Sequence, residues 1–449
     1  MEQSQVGYTT YNIILLQGAM YMNISLINAP VAHPSPHSRL APPLGLAYIA
    51  AVLLEAGHEV SAVDYNVSGL HLQRVTRLVE RDQPDIVGIS AHTETYPNAL
   101  KIAEIIKSLN PETKIVLGGP HPSILPREVL AEPAVDFIVI GEGEATMLEL
   151  TETLQAGTGK FAEIKGLGYK DGSGTIRINE RRPLLDPDQL PIPARELFPL
   201  EFYQDRFNVL AARGGCPFKC PFCSASFIWS GKRRARSPQN IMRELRFLME
   251  HHGADYIFFS DDIFTLDQRW VNEIMAELTK LPYPLEWGCA TRVDMVTPEL
   301  LQRMAATGCR AIQYGVESGC QKILDSVKGI KKEQVLTAVT AATEVGIDIA
   351  CSFMIPFPDD TAETIRETKE FMRQVAEAGA KILLSFTTPY PGTYFHQHAD
   401  QLGLKILTNS WAEYDAKHNI LETKYLSADH IDQLVGELVQ DLGLKKATS

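Results

Sequence analysis

The chain has 449 residues, of which 45% are hydrophobic and 22% are charged, and its formal net charge at pH 7 is −13. This composition is typical of a soluble globular protein with two or three domains. The negative charge argues against nucleic acid as a main partner, because phosphate binding needs a basic surface.

The apolar runs and the cysteines indicate in which cellular compartment the protein is expected. No apolar run reaches the roughly 18–20 residues that a membrane span requires, so we expect no membrane partner. The seven cysteines, an odd number and mostly scattered singly, do not suggest a disulfide framework and fit a reduced, cytoplasmic compartment. Residues 1–21 lack the basic segment of a signal peptide, and we interpret them as a disordered extension or a misassigned start.

Strand–helix alternation over residues 22–155 predicts a doubly wound parallel sheet of α/β class. The strand-like runs are 24–28, 59–63, 85–90, 114–118 and 136–140. Ligands of such sheets bind outside the carboxyl ends of the strands. Glycine and polar residues cluster there and are candidates to line a ligand site: Asn66, Ser90, Thr93, Gly118, Gly119, Glu142 and Gly143.

Residues 156–204 are rich in proline and weakly periodic, which predicts an extended linker between two domains. A small hairpin is expected within it, over 166–169 and 175–179. The linker carries no evident chemistry.

Six apolar runs with helical stretches between them follow over residues 205–393: 207–212, 255–260, 285–290, 310–314, 347–354 and 381–386. Six strand–helix units predict a partial (β/α)6 barrel, whose chemistry collects at the carboxyl ends of its strands. A short helical segment, 394–449, completes the chain, and Tyr414, His418 and Tyr425 are candidates to face the barrel cavity.

Three cysteines follow the first barrel strand at spacing C-x3-C-x2-C: Cys216, Cys220 and Cys223. Thiolates this close together suit an iron–sulfur cluster or a metal ion. Three ligands on a four-iron cluster leave one iron free for another group. The alternatives are a structural zinc site and three unrelated buried cysteines, but zinc usually takes four protein ligands, and no second cysteine pair is present.

This spacing, with Phe222 before the last cysteine, resembles the radical S-adenosylmethionine superfamily. The resemblance implies a 4Fe-4S cluster whose open iron binds S-adenosylmethionine. One electron, from a donor such as flavodoxin or ferredoxin, then yields a 5′-deoxyadenosyl radical. The implied S-adenosylmethionine contacts, at the cysteine loop and later strand ends, are Phe222, Asp261, Asp262, Arg292, Glu317 and Ser318. For each charged residue the alternative is an ion pair that only caps a strand or helix.

The first domain resembles the cobalamin-binding domain that precedes the barrel in one branch of that superfamily. The Gly118-Gly119 turn and the segment around Glu142 and Gly143 carry this likeness. Asn66 stands where cobalt-ligating relatives have histidine, so bound cobalamin should lack a histidine at its lower face. A flavodoxin-like domain that has lost its cofactor is the alternative.

The resemblance implies a cobalamin-dependent enzyme that methylates carbon or phosphorus in a small molecule. The alternatives are a dehydratase, epimerase or cyclase of the same superfamily with a vestigial first domain, and a non-enzymatic cobalamin or metal-binding module. Pro356, Asp359 and Asp360 depart from the branch pattern after the fifth barrel strand. The basic run 232–236 is expected to be a solvated loop or a contact for an anionic group of the substrate.

Overall fold

The computed structural model describes residues 21–34, 40–225, 228 and 231–444. Apart from Tyr21, the segment interpreted as an extension or a misassigned start lies outside the described residues.

The first sheet is a doubly wound parallel sheet, as predicted. Its parallel strands are β1 (Asn23–Asn28), β2 (Glu59–Asp64), β3 (Ile86–Ser90), β4 (Lys114–Gly118) and β5 (Phe137–Val139), in the order β2-β1-β3-β4-β5. The helices are α1 (Leu44–Glu55), α2 (Tyr65–Ser68), α3 (Leu72–Asp82), α4 (Tyr96–Leu109), α5 (Pro120–Ile124), α6 (Pro126–Ala131) and α7 (Glu144–Gln155). Neighbouring side chains of β1 alternate between two cores: Leu26 packs on one face and Ile27 on the other.

The predicted hairpin in the linker belongs to this sheet. Strand β6 (Leu167–Lys170) pairs antiparallel with β5, and β7 (Ile176–Ile178) pairs antiparallel with β6. The sheet therefore extends to Ile178, past the boundary expected at residue 155. Sequence periodicity identified the hairpin but could not show which edge it would join.

The second sheet contains the six predicted barrel strands, all parallel. They are β8 (Asn208–Val209), β11 (Tyr256–Phe259), β12 (Glu286–Thr291), β13 (Cys309–Glu317), β14 (Asp348–Ile355) and β15 (Lys381–Phe386), and their order across the sheet follows the chain. The helices are α8 (Pro238–His252), α9 (Gln268–Leu278), α10 (Pro298–Ala306), α11 (Gln321–Val327), α12 (Lys332–Glu344) and α13 (Ala362–Glu377). The monotonic order of parallel strand–helix units confirms the partial barrel.

Two short antiparallel ribbons complete the fold. One joins β9 (Ala212–Arg213) to β10 (Arg234–Ala235), and the other joins β16 (Lys405–Ile406) to β17 (Leu421–Glu422). Helices α14 (Tyr394–Gln397) and α15 (Ala428–Asp441) lie in the C-terminal segment. None of the helices in the described part of the chain is both long enough and apolar enough to span a membrane.

The linker binds both domains, as expected of a connector at an interface. Tyr203 donates to the Asp64 carboxylate of the first domain at 3.0 Å. Arg195 is 1% exposed, donates to the Asn208 carbonyl at 2.6 Å, and forms a buried ion pair with Glu244 of α8. These contacts place the carboxyl edge of the first sheet beside the start of the barrel.

Candidate active site

A cavity of about 750 Å³ lies between the two domains. One wall is the carboxyl edge of the first sheet together with the start of α1, and the other contains Arg213, Gly214, Asp261 and Asp262 of the barrel. Its volume is in the upper part of the range of small-molecule and cofactor sites. The cavity therefore lies at the position that parallel-sheet topology predicts for a ligand.

Six of the seven residues predicted to line a site in the first domain do line this cavity: Asn66, Ser90, Gly118, Gly119, Glu142 and Gly143. Thr93 does not. Its side chain is buried, with its hydroxyl 3.4 Å from Nδ1 of His121. The sequence placed Thr93 at a strand end, but whether it points toward the cavity depends on the turn into α4.

Two glycines at this edge have different reasons for lacking a side chain. Gly119 has φ +98°, and an added Cβ would lie 2.8 Å from the Ala91 carbonyl oxygen, so the turn itself requires glycine. At Gly118 an added Cβ would meet only Val139, at 3.8 Å. Gly118 thus keeps the cavity wall flat, which suits a large planar ligand such as the corrin ring of cobalamin.

The side-chain amide of Asn66 is hydrogen-bonded to the surrounding loops through both its oxygen and its nitrogen. Its oxygen accepts from the Val31 amide at 3.1 Å, and its nitrogen donates to the Asp64 carboxylate at 3.1 Å and to the Ala29 carbonyl at 3.4 Å. An amide is a poor replacement for a histidine nitrogen as a cobalt ligand, and these bonds hold it between the loops. The geometry fits a cavity in which cobalamin is held without a protein ligand from Asn66.

The three loop cysteines are half-buried, and each pair of them interacts electrostatically. Burial raises the pKa of all three thiols, that of Cys223 to about 11. At Cys220 the positive charges of Lys328 and Arg292 oppose this effect. Among the described residues no group of three His, Cys, Asp or Glu side chains is arranged to hold a single metal ion. Three soft ligands beside two cations fit a negatively charged iron–sulfur cluster.

Arg292 lies at the end of β12, beside the cysteine loop. Its guanidinium stacks 3.7 Å from the ring centroid of Phe218 and makes a two-point ion pair with Asp294 at 2.8 and 2.9 Å. It is 5% exposed. The pair with Asp294 and a bond to the Lys328 carbonyl at 3.1 Å hold the guanidinium against the loop, and a ligand carboxylate would bind it through the N–H groups in its plane.

Glu317 ends β13 at a backbone irregularity. The register with β14 shifts between Gly315 and Glu317, and Glu317 has φ +80°, which is unusual for a residue other than glycine. Strained backbone of this kind persists where the surroundings impose it, and it clusters at functional sites. The carboxylate forms a buried ion pair with Lys328, at 2.7 Å.

Sequence reasoning missed Lys328. It follows α11, and nothing in the local pattern distinguishes it from a surface lysine. An added Cβ at Gly315 would lie 2.5 Å from both Glu317 Oε1 and Lys328 Nζ, so Gly315 provides the space that the ion pair occupies. The glycine two residues before Glu317 was the available signal, because a strand interior seldom contains glycine without a packing reason.

Two other predicted contacts have structural partners. Ser318 is buried, with its hydroxyl 3.2 Å from that of Thr368, and it accepts from the Cys320 amide at 3.2 Å. Phe222 packs against Phe357 and Phe395, with ring centroids 5.9 and 6.4 Å away. Both residues shape the loop ends that surround the cysteines, and their predicted contact with S-adenosylmethionine remains a prediction.

The two aspartates after β11 differ. Asp261 is buried and accepts from the backbone amides of Ala211 and Ala212, so it ties the second barrel strand to the first. Burial raises its pKa to about 7. Asp262 is exposed, lines the cavity, and its charge acts on Cys216 and Cys223. Of the two, Asp262 is the side chain available to a ligand.

The basic run 232–236 was interpreted wrongly for two of its arginines, because Arg234 and Arg236 are neither solvated nor free for a substrate anion. Arg234 pairs with Glu142 at 2.6 Å, and Arg236 forms a buried ion pair with Glu244. Their partners lie about 90 residues earlier or on the following helix, which the run itself could not reveal.

The C-terminal segment does not contribute the residues expected from it. Tyr414 is buried in an apolar cluster that also contacts Phe222, Tyr425 is 55% exposed, and His418 lies 2.9 Å from Asp415. None of the three lines the cavity. The segment instead covers the outer side of the cysteine loop.

Family comparisons agree with this arrangement. Residues 39–151 match the B12 binding domain family, and residues 213–372 match the radical SAM superfamily. The first match covers the sheet edge that walls the cavity, and the second begins at Arg213, directly before the cysteine loop.

The chain also resembles whole proteins. It is 33% identical to an uncharacterized methyltransferase of Pyrococcus horikoshii, over 88% of this chain and 86% of that protein. It is 29% identical to an anaerobic magnesium-protoporphyrin IX monomethyl ester cyclase of Rubrivivax gelatinosus, over 91% of this chain and 74% of the other.

Among solved structures, the radical S-adenosylmethionine methyltransferase TsrM of Kitasatospora setae, whose structure contains cobalamin and a 4Fe-4S cluster, has the same fold. The TM-score is 0.74 at 19% identity, covering 94% of this chain and 89% of TsrM. Two family models match the chain, and a relative is 33% identical to it over 88% of its length. The chain therefore belongs to the radical S-adenosylmethionine superfamily, in the branch with a B12-binding domain ahead of the radical domain.

Proposed function

We propose that the protein is a cobalamin-dependent methyltransferase acting on an unreactive carbon or phosphorus centre of a small molecule. The observation that carries this proposal is the shared cavity. Its walls come from the B12-binding domain on one side and from Gly214 and Asp262, beside the cysteine loop, on the other. A methyl carrier and a radical source held on these two walls would face the same substrate.

The residues divide the work. When bound, the cluster would supply one electron, one molecule of S-adenosylmethionine the methyl group that cobalamin carries, and a second molecule the 5′-deoxyadenosyl radical. In this proposal Arg292 and Glu317 would order S-adenosylmethionine beside Cys216, Cys220 and Cys223. The wall at Ser90 and Gly118 would hold cobalamin, and Asn66 would keep the adjoining loops in place.

The same chemistry indicates an electron donor and a cellular compartment. The cluster needs one electron from outside the chain, and we propose a small donor protein such as flavodoxin or ferredoxin. A reduced cytoplasmic compartment suits both this donor and the free thiols. All seven cysteines lie within the described residues and are unpaired.

The test uses protein reconstituted without oxygen with iron, sulfide and cobalamin. We expect cobalamin to co-elute with the protein on gel filtration, and, with a chemical reductant such as dithionite added, we expect S-adenosylmethionine to be converted to methionine and 5′-deoxyadenosine. Gly118→Val places methyl groups in the cavity, and we expect it to reduce cobalamin retention while leaving the cluster intact. Gly172→Val is the control, because Gly172 is exposed with no atom within 4 Å of an added Cβ. Wild-type protein that retains no cobalamin contradicts the proposal.

A ring-forming reaction is the second candidate, favoured by the similarity to the cyclase of Rubrivivax gelatinosus. The two candidates differ in the fate of the methyl group. With methyl-labelled S-adenosylmethionine and a small-molecule extract, methyl transfer moves label into a new small molecule. A cyclase consumes S-adenosylmethionine with the label staying in the methionine that is released.

A further inference from the structure

The base of the cysteine loop is closed by the ribbon β9–β10. Arg213 and Arg234 are directly opposed in this antiparallel pair, and the chain between them contains all three loop cysteines. Like charges at directly opposed positions of two strands destabilise the pair. The ribbon therefore needs a negative charge between its arginines.

Glu142 of the first domain supplies that charge. Arg234 binds both oxygens of its carboxylate, at 2.6 and 3.1 Å, and Arg213 Nε lies 3.4 Å from Oε1. The Glu142 side chain is 3% exposed. Glu144, two residues later, pairs with Arg213 at 2.6 Å. An ion pair this well buried is strongly destabilised when one partner is removed, because an uncompensated charge remains inside.

A second observation shows that the two ends of the loop are held in close contact. Gly215 has φ +85°, and an added Cβ there would overlap the backbone of Arg233. Arg234 also donates to the Leu185 carbonyl, at 2.5 Å, while Glu142 accepts from the Leu185 amide at 3.0 Å. The loop base is thus fastened to the linker and to the first domain at the same point.

We propose that Glu142 is a positioning residue through which the B12-binding domain holds the cluster loop closed. Glu142, Gly143 and Arg213 also line the cavity, so the segment that walls the cofactor site is the segment that fastens the loop. The inference rests on the cluster that this superfamily binds and not on methyl transfer. It assigns Glu142 a role toward the cluster rather than a direct contact with cobalamin.

The test measures how fast a ferrous chelator removes iron from the anaerobically reconstituted, cobalamin-loaded protein. In Glu142→Gln the carboxylate shared by the two opposed arginines is lost; Arg213 keeps Glu144, but Arg234 loses its two-point pair, and we expect iron to be released about tenfold faster or more. Glu149→Gln is the matched control. Glu149 also makes a two-point pair with an arginine, Arg182, at 2.6 and 2.9 Å, but away from the loop. We expect its iron release to equal that of the wild type.

A double variant separates this role from a cofactor contact. If Glu142 acts through Arg234, the two substitutions break the same pair, so Glu142→Gln with Arg234→Gln should release iron no faster than Glu142→Gln alone. If Glu142 instead acts only on cobalamin, Glu142→Gln will lose cobalamin and release iron at the wild-type rate. That result overturns the proposal.

Folding is checked by circular dichroism before iron is measured. If Glu142→Gln does not fold, Arg234→Gln alone replaces it. This variant breaks the two-point pair with Glu142 while leaving Glu142 a partner in Arg213. Faster iron release than in the wild type supports the proposal, and an unchanged rate overturns it.

Discussion

The cysteine loop and the strands beside it contain the same side chain in two different settings. Cys216, Cys220 and Cys223 are half-buried, and two cations act on Cys220. Cys289 and Cys351, on β12 and β14, are fully buried, and at Cys351 burial alone raises the pKa of the thiol to about 12. Burial and neighbouring charge, more than residue type, decide which thiols become ligands.

The largest effect should appear when one cysteine from each setting is substituted and the two variants are compared. Cys220→Ser removes a ligand, and we expect loss of the cluster and of S-adenosylmethionine cleavage. Cys351→Ala changes only a packed core position and should keep full iron content, with some loss of stability. Iron analysis and visible absorbance of the reconstituted proteins make the comparison. Equal iron loss in both variants would show that core packing, and not ligation, explains the result.

A smaller effect should follow from the cations beside the loop. Lys328→Met leaves the Glu317 carboxylate buried without its partner, and we expect S-adenosylmethionine to bind about tenfold to a hundredfold more weakly. Gly315→Ala should act in the same direction, because its Cβ occupies the place of the ion pair. Equilibrium binding to the reconstituted protein measures both.

Lys280→Met is the control for this pair of variants. Lys280 makes an exposed ion pair with Glu277 at 2.7 Å, at the end of α9. We expect its removal to leave binding unchanged, because exposed pairs contribute little. If both Lys328→Met and Gly315→Ala bind S-adenosylmethionine with wild-type affinity, Glu317 is not part of the binding site.

The smallest effect, on the stability of the fold, should come from a carboxyl group that is buried without a neighbouring cation. Asp360, after β14, is 2% exposed, and burial raises its pKa from 3.8 to about 6. Between these values the folded protein holds a proton that the unfolded chain has lost, so stability falls as pH rises through about 4 to 6, by at most about 3 kcal/mol. Asparagine resembles the protonated acid, since it can accept from the Phe357 amide and donate to Thr364.

Thermal unfolding at two pH values tests this expectation. Asp360→Asn should nearly match the wild type at pH near 4 and exceed its melting temperature at pH near 8. A difference that does not change with pH would mean that Asp360 is ionised in the folded protein at both values.

The sequence allowed much of the fold and part of the site to be predicted. Apolar periodicity predicted both parallel sheets, which the structure confirms, and cysteine spacing predicts the cluster ligands, because each signal lies within a few residues of chain. The partners of Glu317 and Arg234 could not be predicted in the same way. Lys328 and Glu142 become neighbours only through tertiary packing, and no local pattern encodes the register that opposes Arg213 to Arg234.

The linker described above has a consequence for how the enzyme opens. Its hairpin is part of the first sheet, and its Arg195 is buried against α8 of the barrel, so it braces the two halves instead of serving as a hinge. We therefore expect entry of a substrate to depend on local motion of surface loops more than on separation of the two domains. Proteases that cut flexible interdomain segments should leave this stretch intact even when the protein is empty.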